Sequence, residues 1–325
     1  MRRFRAARPA ARAVVAVCCA LSQGGALSAQ PDLRPLLDFS DPAGTEARLR
    51  THLEVAREGG DPGYLAEVLT QLARTYSRRG RFEEAHRQLD EVEAMLSPEL
   101  PRASIRYRLE RGRTLNLQGD REAALELFHQ ALELAESSGP DYLALDAAHM
   151  IAIAEPAFET QVEFTRKALS IAASSSDPET GSWVGPLTVN LGWTYFDHGD
   201  HAQALDCFER ALAWMEAHRG PESQPSLAAR WNVGRALRAL ERFEEALELQ
   251  EALLAEYQRL TIPVYGYVYE ELAELFLREG DPRAPEYFGL AFETLSKDVW
   301  MVNSQAERLA RLGRLAALEL RSPRP

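Results

Sequence analysis

Cysteine is nearly missing from this 325-residue chain: it has three, two of them adjacent at Cys18 and Cys19. Three thiols build neither a disulfide framework nor a four-cysteine metal cluster. Apolar runs of eighteen or more residues are missing too, so no segment is predicted to span a bilayer as a helix. There is no phosphate loop, no G-x-S-x-G elbow, no H-E-x-x-H and no dinucleotide fingerprint. The chain is therefore expected to be non-enzymatic and to need no cofactor. Positive charge is in deficit, with 37 Lys plus Arg against 49 Asp plus Glu and a net charge of −12. That balance argues against extended nonspecific binding to nucleic acid or anionic membrane. What is present, 46% hydrophobic and 26% charged residues, suffices for a large folded body.

Residues 1–29 have a composition of their own. Arg2, Arg3, Arg5, Arg8 and Arg12 come without a single acid, followed by the apolar stretch from Ala13 to Leu21 and small residues up to Ala29. This is the order of a secretory signal: basic, apolar, small-residue cleavage site. Cleavage after Ala29 would leave a chain beginning at Gln30; losing five arginines takes the net charge from −12 to −17. Cys207 would then be the only thiol. The expected location is exported, in the periplasm, with the cytoplasm as the alternative if residues 1–36 are not a functional signal.

From residue 64 the chain repeats itself. Leu72-Ala73-x-x-Tyr76-x-x-x-Gly80-x-Phe82-x-x-Ala85 shares its frame with Leu191-Gly192-x-x-Tyr195-x-x-x-Gly199-Asp200-x-x-x-Ala204-x-x-x-Phe208-x-x-Ala211. The stretches beginning Arg111-Gly112, Val233-Gly234 and Leu272-Ala273 repeat it, and a degenerate copy runs from Ala148-His149 through Pro156 to Ala168. The turn positions are 80, 119, 156, 199, 241 and 280, so the period is about 40 residues. Each unit reads as two antiparallel helices. Small residues at Ala73, Gly112, Gly192, Gly234 and Ala273 let the second helix approach the first, and turn glycines stop the first by a left-handed residue. One unit cannot bury its apolar faces alone, but six stacked units can share a core.

This spacing resembles the tetratricopeptide repeat, in a long form of about 40 residues, over roughly residues 64–296. The resemblance implies an all-α fold: a right-handed α-α superhelix, a solenoid of about six helix pairs with capping helices. With residues 1–29 read as a signal peptide, the domain plan expected is a linker and capping helix over 30–63, the repeat array over 64–296, a C-terminal capping region over 297–320 and a tail over 321–325. It also implies a function, binding of a protein or peptide in the concave groove lined by the first helix of each pair. Carried residue by residue, the groove positions fall on Arg74, Arg113, Asn116, Asp146, Asn190, Trp193, Trp231, Asn232, Arg235, Arg238, Glu270 and Glu274. Arginine forks take carboxylates in bidentate fashion, asparagine pairs with a peptide backbone, and tryptophan supplies flat apolar anchors.

Two alternatives stand beside that reading. The first is a structural or assembly factor acting through the convex face or end caps, with homo-oligomers formed through terminal helices such as the seam of Leu309, Leu312, Leu315 and Leu318. The second is an enzyme or metal site centred on Asp146 and His149, three residues apart on one helix face. The bland reading of His149 is a buried ring held by its neighbours. His198 and His201 with Asp197 are a weaker surface-metal constellation beside the Gly199 turn.

Overall fold

A computed structural model describes residues 33–38, 41–138 and 140–317. The signal over 1–29 and the tail over 321–325 lie outside the described residues, as does Leu318. Every regular element described is a helix, and the first two α-helices are each fixed by an aspartate cap. Helix α1 (Pro42–Gly59) starts at Asp41, whose carboxylate accepts from Gly44 N at 2.9 Å, and stops at Gly60 with φ 69°. Asp61 follows at once and caps α2 (Pro62–Arg78), accepting from the backbone N–H of Gly63 and Tyr64. Both helices carry proline in their first turn, where its missing N–H costs nothing.

The helices follow the six turn positions read from the sequence: α2 pairs with α3 (Phe82–Glu93) and α4 (Pro101–Gln118) with α5 (Arg121–Ser138), while α6 (Asp141–Ala154) and α7 (Phe158–Ser174) come before and after the third turn position. After a four-residue turn of helix, α8 (Pro178–Gly181), come α9 (Val184–Asp197) with α10 (His201–Arg219) and α11 (Gln224–Ala239) with α12 (Phe243–Leu260). The last pair is α13 (Gly266–Glu279) with α14 (Ala284–Leu295), and α15 (Val299–Ser304) and α16 (Ala306–Ala316) are the last described helices.

The chain divides into two compact units, α1 to α6 and α7 to α16, between Ala154 and Glu155. The boundary falls inside the degenerate third repeat, where Pro156 replaces the turn glycine. In the first unit α1 packs on α2, and the first helices α2, α4 and α6 are successive neighbours. Its core gathers Leu49, Leu69, Leu72, Tyr76 and Leu89. In the second unit α9 packs on α10, α10 on α11 and α11 on α13. One core there holds Tyr195, Phe208 and Leu237, and another holds Tyr257, Phe276 and Phe288. The C-terminal helix α16 lies on α14; Leu312 is fully buried, and Leu309 and Leu315 pack against the same core. Leu309, Leu312 and Leu315 of the expected seam are thus directed at the second unit's own core.

Candidate peptide-binding surface

The first helices of the pairs carry every residue of the expected groove, and the structure sorts these residues into two kinds. One kind is tied to a charge on a neighbouring helix. In the first unit Glu67 of α2, 1% exposed, is paired with Arg102 and lies 3.3 Å from Arg106 of α4. Glu110 of α4, also 1% exposed, takes Arg113 at 2.5 Å and has Arg74 of α2 at 3.7 Å. Arg113 reaches on to Asp146 of α6. The result is a buried ladder of alternating charge across three helices.

Its electrostatics follow from burial against pairing. Burial, with Arg113 close by, lowers Arg74 to about 10 despite Glu110. Burial also works against Arg113, but Asp146 and Glu110 outweigh it and hold that guanidinium above its ordinary value. Asp146 is likewise held below the usual carboxylate range by Arg113 and Arg74, against its burial. His149 is half-buried, and burial pushes it below 6.5, with Asp146 opposing and Arg113 adding to the fall.

The second unit repeats the arrangement one pair further on. Glu271 of α13, 1% exposed, receives both Arg235 and Arg238 of α11. Its carboxylate is held low by these arginines against a large desolvation cost. Glu270 accepts from Arg308 at 2.7 and 2.6 Å, and Glu274 pairs with Arg311, so α16 is bolted to α13 by two forks. All four arginines of the expected groove therefore sit on acids of their own fold. The acids and arginines that complete the ladder, Glu67, Arg102, Arg106, Arg308 and Arg311, were missed by the sequence reading. The missed signal is an interval: Arg102 lies 35 residues after Glu67 and Arg308 38 after Glu270, close to one repeat.

The other kind is aromatic or amide. Trp193 of α9 and Trp231 of α11 lie with ring centroids 5.7 Å apart, and Trp231 continues to Tyr267 at 5.2 Å and Tyr265 at 5.5 Å. The Trp231 indole N–H donates to the Tyr267 carbonyl at 3.1 Å, which fixes the ring. Trp193 also meets Phe196 edge-on at 5.1 Å, and Arg235 lies over the Phe196 ring. Trp231 is buried, Trp193 and Phe196 half-buried, and Tyr265 38% exposed. Asn190 and Asp197 of α9 are exposed in area, and partial desolvation raises the Asp197 carboxyl although Arg235 pulls the other way. Asn232 is buried with its carbonyl oxygen unbonded, whereas Asn116 of the first unit is half-buried.

The histidines go to packing. His198 stacks on Phe158 at 3.7 Å and His201 packs on Phe196 at 4.8 Å. No three His, Cys, Asp or Glu side chains converge on a metal-sized site among the described residues.

Two tetratricopeptide-repeat family models match the sequence, one over 183–259 and the other over 65–92 and 106–138. The chain is similar in structure to the apo form of RapI, with a TM-score of 0.65 at 11% identity over 85% of this chain and 81% of that one. It is similar to a STAND signal-transduction ATPase with a tetratricopeptide-repeat sensor from Pyrococcus horikoshii (TM-score 0.64, 16% identity, 86% of this chain and 45% of that one). NprR, solved with its cognate peptide NprX, gives 0.54 at 16% identity over 90% and 84%. No curated protein matches the sequence. The repeat frame, the helix pairs it folds into and these matches agree, and the chain is a tetratricopeptide-repeat protein.

Proposed function

We propose that this protein is a non-catalytic interaction scaffold that holds an extended peptide segment of a partner against the first helices of its second unit. The supporting observation is the face of α9. Asn190, Trp193, Phe196 and Asp197 recur at three and four residues, so one helix side presents an amide, two aromatic rings and a carboxylate. Asn190 and Asp197 are exposed and form none of the ladder's ion pairs. An amide pairs with peptide backbone, the rings offer flat apolar contact, and the carboxylate selects a basic or N–H-rich neighbour. The arginines contribute rigidity: by tying α11 to α13 they hold Trp231 under Trp193. NprR, a structural neighbour, was solved with a peptide bound, which favours a peptide over a small metabolite as occupant.

Export by the segment over 1–29 is part of the proposal, so the partner is sought in the cell envelope. The test is pull-down with the full chain from separated soluble, periplasmic and membrane fractions, followed by mass spectrometry. Asn190→Ala combined with Asp197→Ala is expected to cut capture of the enriched partner at least tenfold, a loss of about 1.4 kcal/mol. Both side chains are exposed, so melting should not move. Undiminished capture by the double variant overturns the proposed surface. Recovery of a chain beginning at Gln30 from the periplasmic fraction supports export, and recovery of the uncut chain from the cytosol overturns it.

A further inference from the structure

On another side of the second unit, away from the face of Trp193, a cleft of about 310 Å³ opens between α7, α9 and α10. Its floor is apolar: Leu169 of α7, Leu191 of α9 and the buried thiol of Cys207 on α10. Its rim is cationic, with Arg166 of α7 on one side and Arg210 of α10 on the other. Arg210 is shared with Asp206 at 3.3 Å, one turn before it on α10. Arg166 has no carboxylate within ion-pair range among the described residues, unlike the arginines that brace α11 against α13. It donates instead to the Tyr195 hydroxyl oxygen at 2.8 Å. That bond uses the oxygen as acceptor and leaves the hydroxyl hydrogen to be given to something else.

We infer that this cleft is a second ligand site, which takes a compact apolar group bearing a carboxylate. Two guanidinium groups against one carboxylate leave the rim one positive charge in excess, although the chain as a whole is strongly acidic. A carboxylate set between Arg166 and Tyr195 receives a charged N–H donor and an O–H donor, the pairing such an oxygen prefers. The apolar part rests on Leu169 and Leu191, and a cleft of this size holds one ring or one branched side chain. The inference is independent of the peptide face on α9: it concerns other residues and survives or fails without it.

Cys207 provides the readout. Its thiol is 2% exposed, and burial together with Asp206 raises its pKa, so labelling by a thiol reagent is slow in the folded protein. A molecule seated on the cleft floor slows it further. The experiment titrates phenylacetate into the full chain and follows labelling of Cys207 by peptide mapping, which separates it from Cys18 and Cys19. Phenylacetamide and inorganic phosphate are the comparators for the apolar part and the anion alone, and acetyl-Asp-Phe-amide presents the same chemistry on a peptide.

Saturable protection by phenylacetate, reduced at least tenfold in apparent affinity by Arg166→Gln and abolished by Ser170→Trp at the rim, is the expected result. Protection by the dipeptide and not by phenylacetate also supports the site and identifies a partner side chain as the source of the acid. Equal protection by phenylacetamide or by phosphate overturns the inference, because either group alone would then suffice. Absence of protection by all four probes overturns it as well.

Discussion

Gly192 lies against Phe208 so closely that a Cβ on the glycine would come within 2.5 Å of the ring. Gly112 stands in the same relation to Phe128, sixteen residues on in both cases. Both rings are fully buried, and the glycine is what lets the second helix of each pair come close enough to bury them. Gly192→Ala is therefore expected to lower stability by about 1–3 kcal/mol through overpacking, larger than the helix-propensity gain of about 1 kcal/mol. Gly289→Ala is the control: a Cβ there meets only the Ala316 methyl at 3.8 Å, an ordinary contact. Denaturant melts should move down for the first variant and stay level or rise for the second. Equal shifts would mean that the glycines are not contact residues.

Glu241 occupies a turn that four other repeats build with glycine. Gly80, Gly119, Gly199 and Gly280 have φ between 70° and 92°, and Glu241 has φ 60° without glycine's freedom. The backbone bonds are the same: Gly199 N to Phe196 O and Asp200 N to Tyr195 O in one repeat, Glu241 N to Arg238 O and Arg242 N to Leu237 O in another. The exposed Glu241 side chain adds a steric cost in this left-handed conformation. Glu241→Gly should raise stability by about 1 kcal/mol and thus raise the melting temperature. A fall in melting temperature would show that the glutamate supplies something its surroundings do not reveal.

Much of this fold was legible because its determinants are local. The turn glycines and the small residues facing Phe128 and Phe208 act within one repeat, and their spacing in sequence is their spacing on the helix. Arg113 and Arg235 show where legibility stops. Their positions on the first helices were correct, but a helix face does not say what stands opposite it. Asp146 and Glu271 do, and they come from the next repeat, whose offset depends on how the pairs stack. The cleft under Arg166 was invisible for the same reason, since it exists only when α7, α9 and α10 are packed.

Glu271 is the acid on which two arginines depend, and breaking a buried pair by removing one partner is costlier than the pair is worth. Glu271→Gln leaves Arg235 and Arg238 facing a neutral amide and should cost about 3–5 kcal/mol. Loosening should appear first in hydrogen exchange over α11 and α13. Because the folded-state pKa of Glu271 is depressed, its contribution is complete above the ordinary value of 4.5 and is lost as pH falls through the folded value. Acid melts of the parent chain should therefore steepen at low pH, and those of Glu271→Gln should be flatter over the same range. Parallel curves would remove Glu271 from the acid response.

His149 sets a second, higher window, confined to the first unit. The fold disfavours its charged ring, since burial lowers its pKa from 6.5 and Asp146 only partly offsets the fall. The unfolded chain binds the proton more readily, so stability is complete above about pH 6.5 and declines as pH drops toward the depressed folded value. His52 behaves alike: it is lowered by burial, and its Nδ1 lies 2.6 Å from the Tyr64 hydroxyl on α2. Thermal melting at about pH 7.5 and about pH 5.5 should show the parent chain weaker at the lower value. Hydrogen exchange should place the loss in α1, α2 and α6. Replacing both rings, His52→Gln with His149→Gln, should remove most of that difference. A difference that persists in full in the double variant would assign the acid response to other groups and leave both histidines as packing residues.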